Sequence, residues 1–569
     1  MNNSRRNFFK LTLSSAAILG LNACNIDNEK KKYYFKSDKH YKQLLPELFV
    51  SPPQLPNHVP IAIIGSGFGG SISALRLSEN GKEVAVIERG NRWPISKHRK
   101  IFAHDMFPDG RCFWHREKST FPALAYDVSD LSNLKITHHG VRKFSGVLDI
   151  IEMDNGRSNE VGGYNLLLGT GVGGGSLIYT GTKAIPKKNF FKKLYPKKLD
   201  YDKLLDVYFP RVQAMMKYSY MPRDVYASQP FTHSRDWDRE VKRAGYKSEK
   251  IFSNFNWSIV RDELYFRSLP SATIGLTNFG NSNGVKNDLR QNYIPAAEAT
   301  GKTTIYYNQE VKSIQQKDGV FELDIVQYDA FGKVLKTQKL TCNKLIMGAG
   351  SYHTTRLLMN AKATNTIDGL NKYVGKNWGD NHNKMVFRQG RGFDALPRLG
   401  AQASPSPTAF YDKKQAVPTY CENWANASLA EVGVSMIMSV GADSNRRNRG
   451  HFVYNESINN SELVYPKAYR RASTRSVRNI NNKIARANNQ NVGAPGFKDV
   501  VDTGAHPIGG MEIGKATDLY GRVKGVENLY VMDGALLPGN NGAANPSLMI
   551  AALAERNIEY LIDNEEFNS

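Results

Sequence analysis

Between residues 61 and 90 the chain reads Ile61-Ala62-Ile63-Ile64, then Gly65-Ser66-Gly67-Phe68-Gly69-Gly70, a helical stretch from Ser71 to Asn80, and Val84-Ala85-Val86-Ile87 running into Glu88-Arg89-Gly90. No other stretch limits the fold so sharply. The two short apolar runs have the character of strands buried on both faces. Gly65 permits the tight turn, Gly67 lets the backbone approach a pyrophosphate, and Gly70 lets helix and strand pack closely. The helix start, where Phe68 and Gly69 stand, offers unpaired N–H groups to phosphate. Glu88 lies 18 residues past Gly70, where a carboxylate accepts the hydroxyls of an adenosine ribose and disfavours a 2′-phosphate, and with it NADP. A lone Gly-x-Gly-x-x-Gly is weak; with strand, helix, strand and terminal acid in register the signal is strong. The fold expected is α/β, with a Rossmann-like, doubly wound dinucleotide-binding domain.

That unit occupies a small part of 569 residues, so two or more domains are expected. A 41% hydrophobic and 23% charged composition excludes wholesale disorder. Four scattered cysteines exclude a disulfide framework and a structural zinc site, and no metal is expected. No apolar run reaches the ~18 to 20 residues of a membrane span. The net charge of +23 is spread along the chain (Lys30 to Lys32, Lys187 to Lys198, Arg446 to Arg449). It fits a solvated surface, or attraction to anionic lipid headgroups; no nucleic-acid module is present.

The first residues read as an address. Ser4-Arg5-Arg6-Asn7-Phe8-Phe9-Lys10 is a twin-arginine pattern, followed by the mildly apolar Leu11 to Leu21. Leu21-Asn22-Ala23-Cys24 resembles a bacterial lipoprotein processing box, with Asn22 unusual at its position; the alternative is an ordinary signal peptide with an incidental cysteine. Residues 1–23 are thus expected to direct export, leaving a periplasmic, secreted or lipid-anchored protein. Residues 24–57, polar and then rich in proline (Pro46, Pro52, Pro53, Pro56), read as a tether.

A second glycine cluster, Leu168-Gly169-Thr170-Gly171-Val172-Gly173-Gly174-Gly175-Ser176-Leu177-Ile178-Tyr179, is bracketed too tightly by apolar residues to be a flexible linker. It offers a backbone surface for a flat ligand. With Gly146-Val147-Leu148-Asp149, Lys286 to Ile314, Leu345 to Ser351, Val374 to Gly379, His506-Pro507-Ile508-Gly509-Gly510 and Asn528 to Gly534, it resembles the glucose–methanol–choline oxidoreductases, and within them the noncovalent-FAD cholesterol oxidases. The likeness runs from about residue 60 to 562 and is weakest over 187–285.

The resemblance implies a discontinuous FAD-binding domain (58–185, 286–365 and 500–569) and an α+β substrate domain with an antiparallel sheet (186–285 and 366–499). Noncovalent FAD would be held by the first glycine motif, Glu88, the loop Gly169, Gly171, Gly173, Gly174, Gly175 and Ser176, and by Val311, Gly350, Asp533, Gly534 and Asn545. His506 matches the group that takes or orients the alcohol proton while hydride goes to the flavin. On the residues alone a turn-capping histidine fits equally well. Asn545 matches an amide over the reacting centre; Asn545-Pro546 is also ordinary helix-start chemistry for Leu548 to Ile562. The implied reaction is oxidation of a 3β-hydroxysterol with oxygen as acceptor, followed by isomerisation of the 5-en-3-one to the 4-en-3-one. For that second step Glu422 is the candidate base and Glu431 its rival. Two positions depart from the cholesterol oxidases: Tyr179 where they have asparagine, and His353 where they have a small residue. The competing readings are a dehydrogenase of another alcohol with a quinone or cytochrome acceptor, and a flavin-bearing sterol-binding surface protein with little turnover.

Overall fold

Strands β1 (His58–Ile64) and β2 (Val84–Ile87) run parallel, joined by helix α1 (Phe68–Glu79). The structure is a computed structural model that describes residues 37–104, 108–119, 139–153, 164–390, 405–424, 434–493, 499–502 and 504–568. Four more strands join this pair: β3 (Thr303–Tyr306), β4 (Gln309–Lys317), β5 (Val320–Tyr328) and β6 (Val334–Met347). With Leu529–Val531 they form a seven-stranded sheet in the order β3-β2-β1-β6-β5-β4. The first four strands of that order and Leu529–Val531 are parallel, while β5 and β4 add antiparallel.

The sequence pattern separates a hairpin strand, Val334 to Cys342, from a second strand at Leu345 to Met347. The structure joins them into one strand of 14 residues. One edge of β6 pairs first with β5 and then with Leu529–Val531, and the other pairs with β1. The two edges of a strand bond independently, so one continuous element serves both a hairpin and a parallel core.

Helix α2 (Ser351–Ala363) follows β6, and helix α3 (Ser547–Asp563) packs on α1. Arg76 of α1 donates twice to the buried Glu555 of α3, at 2.7 and 2.8 Å, and the Tyr293 hydroxyl adds a third bond at 2.7 Å. A buried carboxylate needs such partners, and these fix how the two helices sit.

The second sheet is antiparallel and contains β7 (Lys384–Gly390), β8 (Thr408–Asp412), β9 (Thr419–Trp424) and β10 (Val434–Gly441), in the order β7-β10-β9-β8. Alternation of side chains gives it two apolar faces. Val386, Cys421 and Ile437 pack under Val477, Ile480 and Ile484 of the helix Arg471–Ala487. Met385, Trp424 and Met438 point the other way, towards the first sheet's glycine loops.

Two boundary expectations are corrected. Val500–Asp502, assigned to the cofactor domain, is hydrogen-bonded to β7 of the second sheet. Residues 37–57 are no tether: Asp38–Leu44 is helical, and Tyr41, Leu45 and Leu48 are buried. Tyr41 meets Phe144 at 5.0 Å between ring centres, and Asp38 pairs with Arg142 at 2.8 Å. The apolar spacing Tyr41, Leu45, Leu48 is helical, a signal masked by the prolines around it. The export segment, residues 1–23, lies outside the described residues.

Candidate active site

A cavity of about 260 Å³ opens where β1, β2 and β6 end, between the glycine loops of the first sheet and the inner face of the second. Carboxyl ends of parallel strands are where doubly wound sheets hold ligands. Gly65 has φ +94°, and a Cβ there would come within 2.5 Å of the Gly348 carbonyl oxygen. A Cβ on Gly70 would lie 1.9 Å from the Gly65 oxygen, and one on Gly69 only 1.8 Å from the Met532 oxygen. These three glycines are demanded by packing. Gly67 differs: its Cβ position meets nothing closer than 3.8 Å and faces the cavity, as does that of Gly175, with nothing within 4 Å. Gly67 immediately precedes α1, so the helix's free N–H groups and an open glycine floor lie side by side. Such a surface can cradle a pyrophosphate.

Glu88 does more than the sequence indicates. Its carboxylate accepts from the Ser66 N–H (3.1 Å) and hydroxyl (2.6 Å), and from the N–H groups of Gly90 (3.0 Å) and Gly171 (3.2 Å). Ser66 in turn accepts from the Gly173 N–H at 3.0 Å. One buried acid thereby ties the first glycine motif to the second. Gly171, Gly173 and Ser176 do not line the cavity; they hold the loop's shape, with the Ser176 hydroxyl bonded to the Gly173 carbonyl at 2.7 Å. Gly169, Gly174, Val311, Gly350, Asp533 and Gly534 do line it. Asp533 accepts from the Gly350 and Ala535 N–H groups, both at 2.8 Å, and from the Thr354 hydroxyl at 2.5 Å. Burial nonetheless raises its carboxyl to about 6.

His506 and Asn545 line the same cavity. Burial lowers His506 to about 4, against the opposing charge of Asp380, so the ring is neutral at ordinary pH. Its Nδ1 is buried without a hydrogen-bond partner, and so is Oδ1 of Asn545. Buried polar atoms are rarely left unmet unless a ligand meets them. The helix-cap role of Asn545 is not realised: α3 has no side-chain cap. Instead the Asn545 amide donates to the Thr182 hydroxyl at 2.8 Å and to Glu422 Oε1 at 2.5 Å.

Glu422 sits on β9, 1% exposed, just behind the cavity wall formed by Asn545, Thr182 and Trp424. Burial raises its carboxyl to about 7, although bonds from Asn545 and Thr182 favour the charged form. No motif in the sequence marks Thr182; it stands three residues past Tyr179, and its hydroxyl also reaches Glu422 Oε2 at 3.2 Å. Glu431 lies outside the described residues. Tyr179 lines the cavity, bonded through its hydroxyl to Asn254, with its ring edge-on to Phe68 at 5.5 Å. His353 also lines it and stands 3.4 Å from Asp149, which Arg89 grips at 2.8 Å. Burial, then the Arg89 charge, lowers His353 to about 4.

Residues 462–554 match the family model for GMC oxidoreductases, and residues 63–94 match that for NAD(P)-binding Rossmann-like domains. Fold, site and matches agree on a class: an FAD-dependent oxidoreductase that acts on CH–OH donors. Over residues 462–554 the chain is similar to the GMC oxidoreductases. It is 24% identical to a cholesterol oxidase of Mycobacterium tuberculosis, over 87% of this chain and 90% of that protein. A cholesterol oxidase of Acinetobacter baumannii is 23% identical over 88% and 93% of the two chains. Among solved structures, a pyridoxine 4-oxidase from Mesorbium loti shares the fold with a TM-score of 0.57 at 15% identity, covering 89% of this chain and 99% of that one.

Proposed function

We propose that this protein is a sterol oxidase that also isomerises its first product. When bound, FAD supplies the group that accepts hydride from the alcohol carbon. The chain's own residues do the rest. Neutral His506 takes the hydroxyl proton, and Asn545, its amide nitrogen held by Thr182 and Glu422, stands in the wall of the same cavity. Met385, Trp424 and Met438 form an apolar wall that excludes water and suits a hydrocarbon substrate. Oxygen is the proposed acceptor, giving hydrogen peroxide.

The observation that carries the reading is Glu422. Alcohol oxidation by His506 and Asn545 needs no carboxylate, yet this one is buried and bonded to Asn545. Carbon 4 of a 5-en-3-one lies between a carbonyl and a double bond, and a base raised towards neutrality by burial is suited to take its proton and return it at carbon 6. Air-equilibrated turnover on cholesterol, followed by peroxide and by enone absorbance, tests both steps. Glu422→Gln is expected to leave oxidation largely intact and let the unconjugated ketone accumulate. Enone formation that persists in Glu422→Gln and stops in Glu431→Gln moves the assignment.

The same carboxyl has a signature in stability. Its folded value of about 7 lies above the ordinary 4.5, so the contribution is complete below pH 4.5 and is lost as pH rises through 7. The amide introduced by Glu422→Gln cannot ionise. Denaturant unfolding of Glu422→Gln and the parent is therefore expected to diverge between pH 5 and 8, in favour of the variant, by about 3 kcal/mol.

Tyr179 favours a second reading, a dehydrogenase with another acceptor, because its ring lines the cavity beside Phe68 where the cholesterol oxidases have the smaller asparagine. Turnover with an artificial acceptor and no peroxide in air identifies that case. The segment from Ser4 to Cys24 leads us to propose export by the twin-arginine route and contact with a bilayer, where sterols reside. Retained export of a reporter fusion after Arg5→Lys plus Arg6→Lys would exclude that route.

A further inference from the structure

Helix Trp257–Leu264 ends in a turn where the Phe266 N–H bonds the Glu263 carbonyl and the Arg267 N–H bonds that of Asp262. This is the helix stop in which the residue after the cap adopts the left-handed region, a place glycine usually fills. Here it is phenylalanine, with φ +58°. Phe266 is 95% exposed and Tyr265 beside it 67%. A bulky residue in this conformation is strained, and Phe266 recovers nothing by packing. Neither local propensity nor the core accounts for it.

The surroundings say what does. Leu269 and Ile95 are also exposed, and the two segments are joined by the Leu269 N–H to the Lys97 carbonyl at 2.8 Å. Lys97 and Arg267 collar the tip, and they outnumber the one carboxylate they pair with, Asp262. Behind the tip lies a second, apolar cavity of about 220 Å³, edged by Leu269, Pro270 and Lys100. Phe279 lines both this cavity and the catalytic one.

We propose that the Tyr265–Phe266 tip docks this protein onto a bilayer rich in anionic phospholipid, the rings entering the headgroup boundary and the cationic collar meeting the phosphates. Aromatic rings at the interface and basic residues beside it are the chemistry such surfaces recognise. The inference rests on the bilayer contact proposed above and names its surface; vesicle binding without sterol tests it apart from catalysis.

The measurement is co-sedimentation with phosphatidylcholine vesicles, with and without phosphatidylglycerol, using the chain with Cys24→Ser so that no acyl anchor contributes. The unaltered tip is expected to bind the phosphatidylglycerol vesicles, and more weakly as salt rises. Phe266→Gly relieves the left-handed strain, so its melting temperature stays level or rises while binding falls about tenfold or more, the worth of one buried ring. Phe266→Trp keeps the affinity, and its emission shifts to the blue on vesicle addition. Equal binding by the parent and Phe266→Gly, or none by the parent, overturns the proposal. So does a Phe266→Gly that binds vesicles normally but loses self-association, which makes the tip a contact between copies. Oxidation of detergent-dispersed sterol is expected to be equal in all these variants. If no variant oxidises sterol while vesicle binding still depends on Phe266, the sterol reading falls and the docking surface stands.

Discussion

His506→Ala is expected to slow anaerobic bleaching of the flavin by an alcohol substrate by about 10²- to 10⁴-fold, the usual worth of positioned acid–base help. The group lost is specific. The His506 ring lines the cavity, its Nδ1 has no partner, and burial holds it neutral with a value near 4. A neutral ring accepts the hydroxyl proton; a protonated one does not. In the parent the bleaching rate is therefore expected to stay level from neutral pH down to about 5 and to drop as pH falls through 4. His506→Gln fills similar space and hydrogen-bonds, yet takes no proton, so it should be slow as well. Asn545→Ala should slow bleaching while leaving a folded, yellow protein, because it removes the amide and frees Glu422 from one of its two bonded partners. Stopped-flow reduction with unchanged rates in both variants would place the substrate elsewhere.

Gly67→Val is expected to abolish FAD retention without unfolding the chain. The two glycines that look equivalent in the motif separate here. A Cβ at Gly69 would enter the Met532 carbonyl at 1.8 Å, so Gly69→Val disrupts the contact between α1 and the chain after Leu529–Val531. A Cβ at Gly67 meets no backbone within 3.4 Å and projects into the cavity instead. Branched carbons there keep a pyrophosphate from the N–H groups at the start of α1. Losing two charge-assisted hydrogen bonds weakens binding by about 10²-fold or more. Flavin fluorescence released on denaturation reads cofactor content, and far-ultraviolet dichroism reads the fold. A yellow Gly67→Val protein, or a Gly69→Val protein as stable as the parent, would contradict this division of labour.

What was legible in the residues was what is local. The strand–turn–helix–strand unit from Ile61 to Glu88 is dictated within one contiguous stretch, because turn conformation, helix start and strand burial depend on near neighbours. The helix after Pro546 was legible for the same reason. Val334 to Met347 was not, since a strand serving two edges has the same apolar pattern as two strands. The helix Asp38–Leu44 was hidden because its one buried residue, Tyr41, joins Leu45 and Leu48 in the core only where Phe144 and Phe331 pack against it.

By itself, then, the sequence determined a Rossmann-like unit with a glycine floor, and, through its resemblance to a family, a flavin as the group that lies on it. Only the tertiary structure decided that Glu422 faces Asn545, 123 residues away, and that Thr182, 363 residues from Asn545, stands between them. The reason is electrostatic as much as geometric. A carboxyl has no fixed chemistry along a chain; burial from distant segments removes its water, leaves it two hydrogen-bond partners, and raises it to about 7.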